Sequence, residues 1–264
     1  MSMKRVARGM ALKPVISLKN ISIRRGGCAV LKNIDWTTRA GEHWFIMGPN
    51  GSGKTTLIEI LVGYLWPQTG SVSVLGETFG RTNLLELRAK VGYVSPWIFK
   101  RMSPDTLVED VVASGINGSV GSFGRKSSRV KEAIRRQLRF FGCLDLSGKS
   151  FGEISSGQQL KCMLARALVH KPGLLILDEP FSLLDIGTRI NMYEHLIRLC
   201  KRKGSPQLVV VTHHREDLLP ILTHGLILKD GRICVQGPRE KVLSPGTLSF
   251  AFDVDKSAFK RYFY

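Results

Sequence analysis

The chain has 264 residues, 43% of them hydrophobic, which is enough for one large or two small domains with a substantial core. No apolar run approaches the roughly 20 residues that a bilayer span requires. The 39 lysines and arginines against 21 acids give a net charge of +18, a field that favours nucleotide phosphates, nucleic acid or anionic lipid headgroups without choosing among them.

The start, residues 1–14, carries Lys4, Arg5, Arg8 and Lys13 but no apolar h-region, and reads as a flexible basic tail rather than a secretory signal. A cytoplasmic protein is therefore expected, with any membrane work done through a partner. The five cysteines share no CxxC spacing and are expected to be small buried hydrophobes in a reducing compartment. The histidines form no metal-ligand pattern. His213 and His214, as neighbours at the end of a β-run, are expected to point to opposite faces.

Residues 15–36 alternate apolar and polar side chains (Ile16, Leu18, Ile21, Ile23, then Val30, Leu31, Ile34), which predicts short strands joined by a turn at Gly26-Gly27. A compact strand at 43–47 runs into a glycine-rich loop. The helix after it places Leu57, Ile60, Leu61 and Tyr64 on one face and breaks at Trp66-Pro67.

Residues 84–153 have a helix-type texture, with a Gly/Ser cluster at 115–124 and a basic amphipathic stretch at 128–141. Val130, Ile134, Leu138 and Phe141 fall on one side of that stretch, a face expected to be buried rather than to bind a membrane. The segment reads as a mainly helical subdomain inserted into an α/β core. From Gln158 the core resumes with a helix to 169, a strand at 174–177, a helix near 188–202, a strand at 208–212 and a small strand pair around 225–235. Alternation of strands and helices implies a largely parallel sheet. On this reading one α/β unit spans 15–240. A C-terminal extension, 241–264, follows, whose Phe250, Phe252, Phe259, Tyr262, Phe263 and Tyr264 are expected to pack on the core.

The chemistry is carried by four short segments. Gly48-Pro49-Asn50-Gly51-Ser52-Gly53-Lys54-Thr55 matches G-x-x-x-x-G-K-[ST] between the strand and the helix that this motif requires. Its glycines let successive N–H groups converge on phosphate oxygens, and the helix N-terminus, including Thr56, favours an anion. Lys54 supplies a charge for the β- and γ-phosphates, and the Thr55 hydroxyl can ligate Mg²⁺. The apolar run 174–177 delivers Asp178 and Glu179 at its carboxyl end, where Asp178 is expected to hold Mg²⁺ and Glu179 to polarise a water. Ser155-Ser156-Gly157-Gln158-Gln159 precedes a helix, where a serine on its own is an N-cap.

Taken in order, these segments resemble the nucleotide-binding domains of ABC ATPases over nearly the whole chain. Residues 48–55 resemble Walker A, and 154–158 the LSGGQ signature with serine at its first glycine. Residues 174–179 resemble Walker B with its following glutamate, Ser182-Leu183-Leu184-Asp185 the D-loop, and His213 the switch histidine. The resemblance implies a P-loop NTPase core with a mainly parallel sheet, an N-terminal antiparallel β subdomain and an inserted α-helical subdomain. It also implies a head-to-tail dimer that binds and hydrolyses Mg-ATP. There Ser155, Gly157, Gln158 and Asp185 of one copy would face the nucleotide on Lys54 of the other, and His213 the γ-phosphate. Gly41-Glu42-His43-Trp44, Gly92-Tyr93-Val94-Ser95 and residues 212–217 resemble the molybdate-type ATP-binding proteins with twin ABC domains.

The chain departs from the family pattern at two positions. Arg25 stands where an aromatic residue usually stacks on adenine; its guanidinium can stack on a base or lie solvated. Pro96 replaces a glutamine that joins the metal site and reports to a membrane partner. The resemblance implies an energising subunit that serves separate transmembrane permease subunits from the inner face of the membrane. The alternative is a soluble ATP-driven switch acting on nucleic acid or ribosomes.

Overall fold

The computed structural model describes residues 13–116, 126–182 and 184–255. Lys4, Arg5 and Arg8, most of the Gly/Ser cluster, Leu183, Phe259, Tyr262, Phe263 and Tyr264 lie outside the described residues.

Strands β1 (Ile16–Arg25) and β2 (Cys28–Thr38) form an antiparallel hairpin in which Arg25 pairs with Cys28. Gly26 and Gly27 have φ of +55° and +80°, the two positive values that a tight hairpin turn of the twist-compatible kind requires. Along β1 the buried positions change phase, from Ile16 and Leu18 to Ile21 and Ile23, across a register shift. Asn20, at φ +52°, absorbs the extra residue and keeps the apolar face inward.

Then come β3 (Trp44–Met47), α1 (Lys54–Leu61), β4 (Thr69–Val74), β5 (Glu77–Thr78), α2 (Leu84–Lys90), β6 (Val91–Val94), α3 (Pro96–Phe99), α4 (Val108–Ser114), α5 (Ser128–Phe140) and α6 (Ser156–Leu168). The chain continues through β7 (Leu174–Asp178), α7 (Ile186–Cys200), β8 (Gln207–Val211), β9 (His224–Lys229), β10 (Arg232–Pro238), α8 (Arg239–Val242) and α9 (Pro245–Phe252). A four-stranded antiparallel sheet has the order β2-β1-β4-β5, and a six-stranded sheet the order β10-β9-β3-β8-β7-β6. The second is parallel except for β10. Every residue of β3, β6, β7 and β8 is buried, as expected of parallel strands covered on both faces. This is the α/β architecture that the sequence predicts.

Three details differ. The first helix ends at Leu61, so Tyr64 lies beyond it and is 39% exposed instead of completing its apolar face. The stretch read as mainly helical contains β6, whose Val91–Val94 pairs in parallel with Leu174–Leu177 as an edge of the main sheet. At the carboxyl end of the described chain, Phe252 packs partly against the core but Phe250 is 68% exposed, under the Lys229 ammonium.

Helix α5 buries Ile134 and Leu138, followed by Phe141, as its periodicity predicts. Between α4 and α6 the buried Arg166 donates from Nε to Ser114 Oγ at 2.8 Å. No helix among the described residues is long and apolar enough to cross a membrane.

Candidate active site

Strand β3 enters the sheet between β9 and β8, and its carboxyl end opens directly into the loop 48–53. Gly48 sits at φ +149°, and a Cβ there would lie 2.1 Å from the Leu228 carbonyl oxygen, so the loop can leave the sheet at this point only without a side chain. The loop closes on α1. Lys54, its first residue, is 8% exposed, and its Nζ donates to the carbonyls of Gly48 at 2.8 Å and Pro49 at 2.9 Å. Burial lowers the Lys54 pKa, while the nearby Glu179 and Asp178 carboxylates pull it back up. Ser52 Oγ is buried in the same loop with no hydrogen-bond partner. An unused hydroxyl among converging backbone N–H groups, with a lysine at hand, fits a phosphate oxygen.

The neighbouring parallel strands β7 and β8 supply the acids and the histidine. Asp178 ends β7, opposite Val211. Its pKa is pushed up to about 6, chiefly by burial and then by Glu179, against the pull of Lys54. Glu179 adopts a left-handed conformation, φ +47°, and its N–H donates to the Val211 carbonyl at 2.9 Å. That turn sends its carboxylate to within 3.0 Å of His213 Nδ1. His213 and His214 lie past the end of β8, and their ring centroids are 3.9 Å apart. The expectation of opposite faces is thus corrected: the alternation of a strand no longer applies once the strand has ended.

A cavity of about 710 Å³, within the range of small-ligand sites, joins the phosphate loop to the two acids, with His213 reaching it only through Glu179. Asn50, Gly51, Gly53, Lys54, Thr55, Thr56, Asp178 and Glu179 line it, together with Arg25 and Pro96. Sequence reasoning missed Val30, Glu59, Tyr64, Tyr93 and Trp97, which complete the wall. The ring of Tyr64 lies 5.4 Å from that of Trp97 and 6.3 Å from that of Tyr93. Arg25 is held by Glu59, Nη2 to Oε2 at 2.7 Å, with its side chain half exposed at the cavity wall. Pro96 begins α3, where Ser95 Oγ caps the helix by accepting from Ile98 N.

The signature segment lines no part of this cavity. Ser155 caps α6, accepting from Gln158 N at 3.3 Å, while Gln158 Oε1 accepts from Ser155 N at 3.0 Å, a reciprocal capping box. The Ser-x-x-Gln spacing was visible in the sequence and marks this device. Gly157 is buried against Thr188 of α7. Asp185 caps α7 by accepting from Thr188 N at 2.9 Å, and hydrogen bonding from the Thr188 hydroxyl, then from this N–H, holds its carboxyl below the usual range. Ser156 and Gln159 line a neighbouring hollow of about 370 Å³ that shares Pro96, Asp178 and Glu179 with the first. Among the described residues no cluster of three His, Cys, Asp or Glu could hold a metal ion. A hard cation would have to combine Thr55 and Asp178 with ligand oxygens, as Mg²⁺ does in phosphate sites.

A glycine loop on a parallel strand, a buried lysine and paired acids at the end of a second parallel strand, one strand removed in the same sheet, define a phosphate-loop NTPase. A family model described as ABC transporter matches residues 31–182. The chain belongs to this family of ATP-binding proteins, and its activity is ATP hydrolysis. The uncharacterized ABC transporter ATP-binding protein YlmA of Bacillus subtilis (strain 168) is 33% identical over 240 residues, covering 90% of this chain and 91% of that one. The ABC transporter ATP-binding protein ModF of Escherichia coli (strain K12) is 33% identical over 220 residues, 82% of this chain and 44% of that one. The bacterial ABC transporter cassette MJ0796, solved as a dimer, has a TM-score of 0.72 at 26% identity, covering 84% of this chain and 98% of that one. A post-hydrolysis dimer of the same cassette, bound to ADP and Pi, also has a TM-score of 0.72, at 25% identity and the same coverage.

Proposed function

We propose that this chain is the energising subunit of a membrane transporter, binding Mg-ATP between two copies and hydrolysing it there. The observation that carries the dimeric reading is the position of the signature segment. Ser155, Gly157 and Gln158 stand outside the cavity of their own phosphate loop, which supports their serving the nucleotide of a second copy. The MJ0796 dimer is an example of such pairing in a related cassette.

In this scheme the backbone of residues 48–53 and the N-terminus of α1 cradle the phosphates. Lys54 exchanges its two carbonyl contacts for β- and γ-phosphate oxygens. Thr55 and Asp178 would hold Mg²⁺, which would supply positive charge to offset that of the phosphates. Glu179 accepts a proton from the attacking water as its oxygen bonds to the γ-phosphorus and the bond to ADP breaks. His213 orients Glu179 and donates to the γ-phosphate. Ser155, Gly157, Gln158 and Asp185 of the second copy close the site. Arg25, steadied by Glu59, faces the base.

Separate transmembrane permease subunits complete the machine, which puts the chain on the inner face of the membrane; YlmA and ModF bear names of the same transport class. The molybdate-type phrases at 41–44, 92–95 and 212–217 are the ground for an oxyanion cargo. Pro96 and the charge of +18 favour a second reading, a soluble ATP-driven switch acting on nucleic acid or ribosomes.

The test is a pull-down of tagged Glu179→Gln protein with Mg-ATP from detergent-solubilised cells. A polytopic membrane protein at matching stoichiometry is the expected result. Ribosomal proteins or nucleic acid with no membrane subunit would replace the transporter reading with the second.

A further inference from the structure

Helix α5 spends its apolar side inside the protein, and the side left to solvent is almost wholly basic. Arg129, Lys131, Arg135, Arg136 and Arg139 are exposed there beside a single acid, Glu132. The carboxyl end of α7 and the turn after it expose Arg198, Lys201, Arg202 and Lys203, with Glu194 one turn earlier.

Contacts join the two stretches into one face. The Arg202 guanidinium lies 4.0 Å from the centre of the Phe140 ring, and His195 packs against Phe140 and Phe141 at 5.9 and 5.5 Å. Lys161 of α6 reaches the same spot: with Arg198 it adds to the burial that lowers the His195 pKa, against a smaller opposing pull from Glu194. None of these lysines and arginines forms an ion pair with a carboxylate among the described residues. A face with nine exposed basic side chains and two acids repels itself and concentrates polyanions.

We propose that this face binds the phosphate backbone of a nucleic-acid duplex, independently of what ATP hydrolysis drives. Two features select this partner. Arginine predominates on α5, and its planar fork matches phosphate oxygens. A membrane-surface helix, by contrast, also inserts apolar side chains, and no exposed large hydrophobic residue lies on α5 or on 195–204. The same lack leaves no aromatic platform for the bases of a single strand. The backbone itself is the remaining target.

The experiment measures fluorescence anisotropy of a labelled RNA hairpin and of a DNA duplex with the full chain, across salt concentrations. Vesicles of phosphatidylglycerol and phosphatidylcholine form a third arm, read by co-sedimentation. Binding of at least one duplex is expected, and the tighter arm identifies which. Arg135→Gln/Arg136→Gln/Arg139→Gln should weaken it at least about tenfold at low salt and flatten the slope of log K against log salt by roughly 2 to 3. Lys201→Gln/Lys203→Gln, at exposed positions, should act in the same direction if the triple variant fails to fold. A control, Lys19→Gln/Arg232→Gln, removes two exposed charges from β1 and β10, outside this face, and should leave binding unchanged. ATP turnover of each variant reports whether it is folded. Equal loss in the control, no duplex binding by the wild type, or binding to anionic vesicles alone would overturn the proposal.

Discussion

Nδ1 of His213 lies 3.0 Å from Oε1 of Glu179, and the sheet, more than the loops, fixes this contact. β7 and β8 are adjacent and parallel, Asp178 stands opposite Val211, and the Glu179 N–H is tied to the Val211 carbonyl. With Glu179 ionised, the His213 nitrogen that faces it must carry a proton, and donation to a γ-phosphate uses the other ring nitrogen, so His213 serves both only when both nitrogens carry protons.

The first prediction follows from that pair. Glu179→Gln keeps the shape and the backbone turn but cannot take a proton. It should bind ATP within a few-fold of wild type and lower turnover by about 10²-fold or more. His213→Ala should lower turnover by roughly tenfold or more while sparing affinity. Single-turnover hydrolysis and nucleotide titration separate the two quantities. Near-wild-type turnover in Glu179→Gln would remove Glu179 from the chemistry.

Lys54 makes a different claim, on affinity. Its ammonium already lies against two loop carbonyls, so the positive charge is in place before the phosphates arrive. Lys54→Ala should weaken ATP binding at least about tenfold, or 1.4 kcal/mol, by calorimetric titration. Lys54→Arg should not restore it, because the planar fork cannot reproduce a point charge in so tight a loop. Full affinity in Lys54→Ala would show that the backbone N–H groups suffice.

Asp178 links the site to stability through pH. Its folded-state pKa of about 6 lies above the usual carboxylate value of 3.8. Between those values the native protein holds a proton that the unfolded chain has lost, so the stabilising contribution present at low pH disappears as pH rises through 6. Asp178→Asn removes this titration. Melting of wild type should therefore fall relative to Asp178→Asn between about pH 4 and pH 8, by on the order of 2 kcal/mol. A divalent cation favours the ionised form, so stabilisation by Mg-ATP should grow over the same range. A difference in melting that does not change with pH would show that burial does not perturb this carboxyl.

The contrast between what the sequence revealed and what it hid has a physical cause. The phosphate loop, Asp178 and Glu179 were legible because each device is contiguous and its spacing follows from how a backbone cradles phosphate or ends a strand. Arg25 stayed ambiguous because its partner Glu59 is 34 positions away and only the fold joins them. Tyr64 and Trp97 were hidden for the same reason, and the apolar periodicity assigned Tyr64 to a helix face that ends before it. β6 was lost inside a helix-rich stretch because four residues are too few to display a period.

Gly157 separates packing from catalysis in the signature helix. A Cβ there would meet Thr188 Cγ2 at 2.5 Å, closer than two carbon atoms can sit, so α6 and α7 approach one another through the missing side chain. Gly157→Ala should thus cost about 1 to 3 kcal/mol by overpacking. Thr188→Ser deletes the offending methyl while keeping the hydroxyl and the backbone N–H that Asp185 accepts. The double variant should recover most of the melting temperature lost by Gly157→Ala, a coupling that a double-mutant cycle measures directly. If the cost is steric alone, ATP turnover recovers with stability. If stability returns and turnover does not, the added methyl blocks the face that Gly157 presents to the nucleotide of the second copy.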